Sequence, residues 1–271
     1  MSTVLTAVQA EPSQAAVAGW LSDRGVEQGA RVAMIGDQTV EFLCSVMGAL
    51  RSGVIPVVIK PQLTETERQH ILNDAAPQII MGTNDQRDAV VHNVRAELAE
   101  IPLARPMMYT SGTTGRPKGV WSGVLDENDA RLLIAEEWDL WGHDSDDVHL
   151  VVAPLSHSAP LRFAMCTLLA GGSVVLPSYR VGVARSISEV SPTSTFLAPP
   201  HLDRLRAELD AVDVSSFRLV AHAGAPCPSE LKRWAIDRFA PGSVWEFYGS
   251  TEGQFTACSP QEWMDRPGTV G

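Results

Sequence analysis

The sequence predicts an α/β protein with mostly parallel sheets that carry helices on both faces. Short apolar runs alternate with stretches of helical periodicity along the 271 residues, and strands that alternate with helices favour right-handed βαβ units. Hydrophobic residues make up 45% and charged residues 20% of the chain, which is typical of a globular protein and argues against a disordered or coiled-coil chain. The sequence contains neither an internal repeat nor a low-complexity linker.

The first hundred residues contain three predicted strands and three predicted helices. Pro56 lies in an apolar, strand-like run and suggests either a sheet edge or an irregular strand start. Thr64 and Glu67 have the spacing of a capping box, which predicts a helix that begins there. The predicted strands are 31–35, 54–59 and 78–81, and the predicted helices are 39–50, 64–75 and 85–99.

The alternation of strands and helices continues through the rest of the chain. The predicted strands are 150–153, 173–176, 195–197, 219–221 and 244–247, and the predicted helices are 130–138, 161–170, 201–209 and 230–239. The glycine- and threonine-rich segment after residue 105 suggests a division there. We expect an N-terminal βαβ subdomain at 1–105 and a second subdomain at 106–271.

The charge and the cysteines limit what the protein binds and where it is found. The formal net charge is −11, so we expect no nucleic-acid partner, and any bound polyanion needs a local set of donors. No apolar run reaches the ~18 residues of a membrane span, and no secretory signal is evident, which favours a cytoplasmic location. The four cysteines are not spaced as metal ligands. We expect each of them to be buried and to act as a small apolar residue, namely Cys44, Cys166, Cys227 and Cys258.

The most informative segment is 109–120, which reads YTSGTTGRPKGV. Successive backbone N–H groups in such a loop form a concave anion site, hydroxyls add donors, and a lysine supplies a mobile cation. The glycines allow close backbone approach and a positive φ. The order differs from a Walker A loop, because Gly119 follows the lysine instead of preceding it. The residues of this anion-binding hypothesis are Thr110, Ser111, Gly112, Thr113, Thr114, Gly115, Lys118 and Gly119.

This string resembles, nearly letter for letter, the phosphate loop of the adenylate-forming superfamily, which includes acyl-CoA synthetases, luciferases and nonribosomal-peptide adenylation domains. The resemblance implies ATP and AMP as ligands, Mg²⁺ as the metal and coenzyme A as a cosubstrate. It also implies the fold, namely the βαβ layers of the family's large N-terminal domain. Residues 110–115 and Lys118 would cradle the β- and γ-phosphates, with Thr113 near the metal.

A second segment, EFYGSTEGQ at 246–254, resembles the family's other nucleotide motif. By that resemblance Tyr248 packs against adenine, Thr251 hydrogen-bonds the α-phosphate and Glu252 holds Mg²⁺. These residue types suit the roles, since a planar ring offers stacking area and a carboxylate is a hard ligand for magnesium. The segment HAGAP at 222–226 resembles the stretch that lines the adenine. The implied adenine slot comprises Gly224, Ala225, Pro226, Glu246, Phe247, Tyr248 and Gly249.

The remaining motifs concern the acid substrate. PLSHSAP at 154–160 resembles the family's segment at the acyl pocket, which implies that His157 and Phe163 lie near the acyl group. The strings at 226–228 and 266–271 resemble those of carboxylate–CoA ligases. The implied reaction converts ATP and a carboxylate to an acyl-adenylate and then to acyl-CoA. Fatty, steroid-side-chain and aryl acids are the expected substrates, and a homodimer is left open.

The chain ends at Gly271, at about half the length usual for the family. The resemblance implies that a mobile C-terminal lid domain, with a lysine that contacts the α-phosphate, is absent. We therefore expect a weakly active or inactive truncated ligase. The alternatives are a catalytically silent nucleotide- or acyl-adenylate-binding module and a scaffold whose phosphate loop is vestigial.

Overall fold

The computed structural model describes residues 2–36, 38–111, 117–121, 123–177 and 182–271, which form twelve strands and ten helices. The strands are β1 (Thr3–Thr6), β2 (Arg31–Ile35), β3 (Ile55–Ile59), β4 (Ile79–Met81), β5 (Met107–Ser111), β6 (Pro117–Val120), β7 (Val148–Val151), β8 (Ser173–Leu176), β9 (Ser194–Leu197), β10 (Leu219–His222), β11 (Val244–Gly249) and β12 (Gln254–Cys258). The helices are α1 (Ala7–Ser22), α2 (Val40–Arg51), α3 (Glu65–Ala75), α4 (Thr83–Val90), α5 (Glu127–Trp141), α6 (Ser158–Leu169), α7 (Val183–Val190), α8 (Pro199–Asp210), α9 (Ser229–Arg238) and α10 (Pro260–Asp265). The predicted α/β class with mostly parallel sheets is confirmed.

The chain divides into two compact units. The N-terminal unit comprises Thr6–Gly142 and Leu155–Leu161, and the C-terminal unit comprises Met1–Leu5, His143–Pro154 and Arg162–Gly271. These units do not follow the division at residue 105, since β5 and β6 complete the sheet of the N-terminal unit. A nucleotide-binding subdomain at 106–271 stays a prediction.

The N-terminal unit contains a five-stranded sheet in the order β4-β2-β3-β5-β6, in which only the β5–β6 pair is antiparallel. The prediction that the strand containing Pro56 lies at a sheet edge is wrong, because β3 lies between β2 and β5. The proline is instead tolerated because it lies at the start of β3, before the pairing with β5 begins. The N–H of Ile55 bonds Ala30 on the β2 side, so the nitrogen of Pro56 faces the β5 side, where pairing begins only at Val57.

The segment after α4 is irregular, and the prediction of a helix through residue 99 is wrong beyond Val90. Its backbone groups bond neighbouring helices instead of one another. The N–H of Ala96 donates to Ala15 in α1, and the N–H of Ala99 donates to Arg51 in α2. The Arg51 guanidinium donates a 2.7 Å hydrogen bond to the Ala99 carbonyl and also forms an ion pair with Glu11. Tertiary hydrogen bonds therefore override the local helical pattern.

The C-terminal unit contains a seven-stranded sheet in the order β1-β8-β7-β9-β10-β11-β12. The neighbouring strands β8, β7, β9, β10 and β11 are parallel to one another, and β12 is antiparallel to β11. One face packs against α7, α8 and α9 around Val220, Leu205 and Ala235. The other face packs Phe196 and Phe247 against Phe163 of α6.

The cysteines are all free thiols. Cys44, Cys166 and Cys258 are buried, which confirms the expected small apolar role, and Cys227 is partly exposed. Burial, with a smaller contribution from Glu41, raises the pKa of Cys44 to about 12. Among the described residues, no helix has both the length and the apolar character that a membrane span requires.

A buried carboxylate joins the amino ends of three strands in the C-terminal unit. Asp147, which precedes β7, accepts a 2.8 Å bond from Thr193 before β9 and is paired with Arg218 before β10. Burial alone would raise the pKa of Asp147, but the neighbouring His143, Arg218 and Thr193 outweigh it and hold that pKa well below its ordinary value. Because the native pKa is lowered, the ionised pair stabilises the fold above the unfolded-state pKa near 4 and loses this effect as the pH falls.

We expect Asp147→Asn to lower the free energy of unfolding at pH 7 by about 2 kcal/mol, because it removes the negative charge that pairs with Arg218. The loss is smaller than for a fully buried pair, since Arg218 is partly exposed. Urea unfolding at pH 7 and at pH 3 measures it. The difference between variant and wild type should shrink at pH 3, and an equal difference at both pH values would contradict this assignment.

Candidate functional site

Strands β5 and β6 form the hairpin whose connection is the glycine-rich segment. Thr110 pairs with Lys118 across this hairpin. Directly opposite residues of an antiparallel pair project from the same face, so the predicted hydroxyl and cation lie side by side at the base of the connection. Lys118 is exposed and Thr110 is half-buried.

Four predicted phosphate-binding residues fall outside this description. Gly112, Thr113, Thr114 and Gly115 lie outside the described residues, and only the backbone of Ser111 is described. Ser111 pairs with Pro117, so the two ends of the undescribed stretch are held opposite each other. Their predicted contacts with phosphate and metal stay predictions.

Two hydrogen bonds anchor this hairpin to α3. The Tyr109 hydroxyl donates to Asp74 Oδ2 at 2.6 Å, and His70 Nε2 lies 3.2 Å from the carbonyl oxygen of Pro117. Burial and, secondarily, the bond to Asp74 raise the pKa of Tyr109, so its hydroxyl keeps its proton. Both strands that flank the glycine-rich connection are thereby held by one helix.

Gly119 has a packing role that the sequence did not indicate. Its φ is not positive, contrary to the expectation for this glycine. A Cβ atom there would lie 2.4 Å from Met107 Cε and 3.0 Å from Tyr109 Cζ. The absent side chain makes room for the tyrosine ring that bonds Asp74.

In the C-terminal unit, the two predicted adenine-lining segments lie at the ends of adjacent parallel strands. His222, the last residue of β10, pairs with Glu246 of β11. Because parallel strands run to the same sheet edge, the segment 223–226 leaves the sheet beside residues 247–249, which continue β11 in its pairing with β12. The structure thus brings together two motifs that are 20 residues apart in sequence.

The segment that follows β10 is open to solvent. Gly224 has a φ of 86°, and a Cβ atom at this position would meet nothing within 4 Å. Pro226 is exposed, and Ala225 is half-buried. The backbone therefore presents a flat, accessible surface, and the left-handed conformation explains the glycine.

The predicted α-phosphate and magnesium residues lie in the tight turn between β11 and β12. Ser250 and Gly253 exchange backbone hydrogen bonds of 2.8 and 3.3 Å, which places Thr251 and Glu252 at the apex. Glu252 is exposed, and its N–H lies 3.3 Å from Ser250 Oγ. A Cβ atom at Gly249 would lie 2.7 Å from the Gly253 carbonyl oxygen, so this position requires glycine.

Tyr248 has an exposed ring next to this turn. The register shifts between Tyr248 and Gly249, leaving Phe255 of β12 as the extra residue of a β-bulge. The two rings have centroids 6.0 Å apart, and their side chains are 59% and 63% exposed. An accessible aromatic face is therefore present at the position predicted to pack against adenine.

Glu246 and Phe247, also predicted for the adenine slot, have buried side chains. Phe247 packs among aromatic rings of the core. Glu246 faces α9, where its Oε2 lies 3.5 Å from Lys232 Nζ, and this ammonium lies 2.5 Å from His222 Nε2. Any contact of these two slot residues with a ligand would come from their backbone. The sequence does not single out Lys232, because a lysine in an amphipathic helix is usually exposed to solvent.

The buried cluster of His222, Lys232 and Glu246 has shifted pKa values. Burial, helped by the positive charge of Lys232, lowers the pKa of His222 to about 3. His222 is therefore neutral near pH 7 and can accept a hydrogen bond from Lys232 at Nε2. Burial lowers the pKa of Lys232 and raises that of Glu246, while each opposes the shift of the other through their mutual attraction.

The predicted acyl-pocket residues differ in exposure. His157, which precedes α6, is exposed. Phe163 is 1% exposed and stacks on Phe196 at 5.6 Å between ring centroids, so it is part of the core of the C-terminal unit. Its neighbour Arg162 donates a 2.8 Å bond to Gln254, the first residue of β12.

The described residues contain no group of three or more His, Cys, Asp or Glu side chains arranged to hold a metal ion. The Glu252 carboxylate lies exposed at the predicted magnesium position. Magnesium commonly keeps several waters and uses one or two carboxylates together with substrate phosphates. The donor set fits a metal that arrives with a nucleotide.

Comparison with known proteins identifies the family. The chain matches the AMP-binding enzyme family over residues 3–105 and 100–271. It belongs to that family. The resemblance to the adenylate-forming superfamily is thereby confirmed.

Individual relatives are similar over most of this chain. A feruloyl-CoA synthase from Amycolatopsis sp is 30% identical over 92% of this chain and 55% of that protein. A 2-succinylbenzoate–CoA ligase from Bacillus licheniformis is 26% identical over 98% of this chain and 59% of that protein. The chain thus spans about half the length of the curated relatives it matches.

Solved structures share the fold. The O-succinylbenzoate coenzyme A synthetase from Bacillus subtilis, determined in complex with AMP, matches with a TM-score of 0.80. The match covers 97% of this chain and 73% of that chain at 21% identity.

The two glycines of the β11–β12 turn provide a matched test of its geometry. We expect Gly249→Ala to lower the free energy of unfolding by about 1–3 kcal/mol, because its Cβ would overlap backbone atoms that cannot move aside. Gly253→Ala is the control, since its Cβ would meet only Phe255 at 4.0 Å. Urea unfolding of both variants measures the difference, and equal stabilities would refute the tight turn.

Proposed function

We propose that the protein activates a small carboxylic acid with ATP, forming an acyl-adenylate and pyrophosphate, and then transfers the acyl group to the thiol of coenzyme A with release of AMP. The pairing of β10 with β11 in the register His222–Glu246 carries this proposal. It brings two adenylate-forming motifs to one sheet edge, where open α/β sheets bind ligands. Family membership supplies the reaction class.

The sheet edge at β10 and β11 would hold the adenosine end of the nucleotide. The open backbone at Gly224 and the exposed Tyr248 ring offer two flat surfaces for a planar base. Thr251, at the apex of the adjoining turn, would donate its hydroxyl to the α-phosphate. Hydrogen-bond donors that are fixed before the reaction stabilise the charge that builds on the phosphate during carboxylate attack.

The β5–β6 hairpin would hold the leaving pyrophosphate. Lys118 and Thr110 are adjacent on the hairpin that borders the glycine-rich connection. A lysine suits this role, since its flexible point charge can follow a phosphate group as it departs. With a net charge of −11, the protein depends on such local donors to hold a polyanion.

Glu252 would be a protein ligand for Mg²⁺, and Thr113 is the other residue for which the resemblance implies a role at the metal. Bound magnesium neutralises phosphate charge. The exposed carboxylate at the turn apex is a hard oxygen donor of the kind that magnesium prefers. The turn geometry fixes its backbone through the Ser250–Gly253 hydrogen bonds.

An aryl acid is the favoured substrate. Relatives that match over most of the chain are named for feruloyl and 2-succinylbenzoate substrates, both aromatic acids. His157 would lie at the acyl group, and fatty or steroid-side-chain acids, with a place in fatty acid metabolism, remain the other options. A cytoplasmic location and a homodimer stay predictions.

We expect this chain to bind nucleotide but to catalyse the proposed reaction slowly. This chain covers 55% and 59% of the two curated relatives, and their remaining residues lie outside the matched part. Catalytic groups contributed from outside a site can each be worth on the order of 10²–10³ in rate, whereas ground-state binding depends on many contacts. We infer a larger deficit in turnover than in affinity.

Lys118→Met tests the phosphate assignment. We expect at least a tenfold weaker affinity for Mg–ATP but an unchanged affinity for AMP, because AMP lacks the β- and γ-phosphates. Isothermal titration calorimetry measures both, with Arg87→Met, which removes an exposed cation on α4, as the charge-matched control. Equal ATP affinities for wild type and Lys118→Met would contradict the assignment.

Pyrophosphate release tests the reaction itself. With Mg–ATP and a panel of aryl and fatty acids, we expect slow, acid-dependent pyrophosphate release that Glu252→Gln reduces at least tenfold. AMP binding without pyrophosphate release for any acid would instead favour the silent nucleotide-binding module. No binding of either nucleotide by the folded protein would refute both and favour a scaffold with a vestigial loop.

A further inference from the structure

Lys232 is a fully buried cation at the sheet edge of the candidate adenosine site. It lies in the first turn of α9 with a relative exposure of 0%. Lysine is almost never fully buried without a partner, because removing its charge from water is costly. Its partners are His222 at 2.5 Å and Glu246 at 3.5 Å.

These contacts close the segment 223–228, which contains Gly224 and the rest of the HAGAP motif. His222 immediately precedes this segment, and Lys232 follows it by four residues, with its N–H bonded to Pro228 at 2.9 Å. The contact between Lys232 and His222 therefore joins the two ends of the segment. The contact with Glu246 joins both ends to the neighbouring strand β11.

The exposed groups of the candidate adenosine site lie next to these junctions. Gly224 is two residues beyond His222, and Tyr248 is two residues beyond Glu246. The pairing of β10 with β11 ends at His222 and Glu246. Beyond this point the two segments, both within the described residues, share no backbone hydrogen bonds that would set the distance between them. The side chains of His222 and Glu246, both bound by the Lys232 ammonium, are placed to set that distance.

We propose that Lys232 is a positioning residue for the nucleotide: by binding His222 and Glu246 together, it sets the separation of the Gly224 backbone and the Tyr248 ring between which adenine binds. The inference rests on the proposed function and deepens it. Lys232 is buried and does not itself touch the ligand. Its effect is on the adenosine end, and so it applies to AMP and ATP alike.

A purely structural role makes a different prediction from a positioning role. Replacement of one partner of a buried ion pair leaves an uncompensated group and destabilises the fold, whereas replacement of both partners by apolar residues is often neutral. If Lys232 served stability alone, the paired apolar variant would regain both stability and affinity. A positioning role predicts that stability returns and affinity does not, because methionine side chains lack a directional bond to His222.

The experiment compares Lys232→Met, the double variant Lys232→Met/Glu246→Met, and Arg233→Met, an exposed cation next in sequence on α9. Urea unfolding measures stability, and calorimetric titration measures the affinity for AMP and for Mg–ATP. We expect the double variant to fold, with AMP and ATP affinities each reduced at least tenfold by a similar factor. Arg233→Met should match the wild type, and Lys118→Met should lose only ATP affinity.

A double variant that folds and binds AMP within twofold of wild type would overturn the inference and leave the proposed function intact. If Lys232→Met alone folds, the same criterion applies to it. A wild-type protein that binds neither nucleotide would overturn the proposed function, and the inference with it. A loss confined to ATP in the double variant would also overturn the inference, since it would place the effect at the phosphates.

Discussion

The candidate nucleotide site depends above all on the parallel pairing of β10 with β11. One register, His222 opposite Glu246, places the segment that follows β10 beside the last residues of β11. The amino ends of β7, β9 and β10 are joined by Asp147, Thr193 and Arg218 at the opposite edge. The strands are thus fixed where they enter the sheet, and the accessible groups lie where they leave it. This is the arrangement in which an α/β sheet presents loops to a ligand without loosening its core.

Both sheets finish in an antiparallel hairpin, and each hairpin carries one of the two family motifs. Parallel strands need a crossover helix, so only an antiparallel strand can reverse the chain within a few residues. The paired strands then hold both ends of the motif, as Ser111 with Pro117 and Gly249 with Gln254 demonstrate. Fixed ends reduce the number of conformations open to a short connection, so less entropy is lost when a ligand orders its donors. Glycine at 119 and 249 allows the close strand contacts on which these hairpins depend.

The sequence predicts the α/β class, most strands and the family because these depend on local patterns: alternating apolar runs, the Thr64 capping box and strings of motif letters. Prediction from the sequence fails where contacts between residues distant in sequence determine the structure. The run after Val90 has a helical pattern, but Arg51 and Ala15 take up its backbone groups. Helix α1 has no amphipathic stripe, since Ala16–Leu21 is buried all round, and it was not predicted. Glu246 could be assigned to the adenine slot by its motif, but only the sheet register places its side chain against Lys232.

The distribution of cations gives the site its electrostatic character. The chain contains only three lysines, Lys60, Lys118 and Lys232, and a net charge of −11. One of the three is enclosed with His222 and Glu246, where it organises strand ends and adds little to the field outside. At long range the protein therefore repels a nucleotide, and attraction has to come from contacts within a few ångströms, where screening by salt is weak. Under the proposed function this makes magnesium a condition for phosphate binding and not an accessory to it, because a Mg²⁺-bound triphosphate presents two fewer negative charges to an acidic surface.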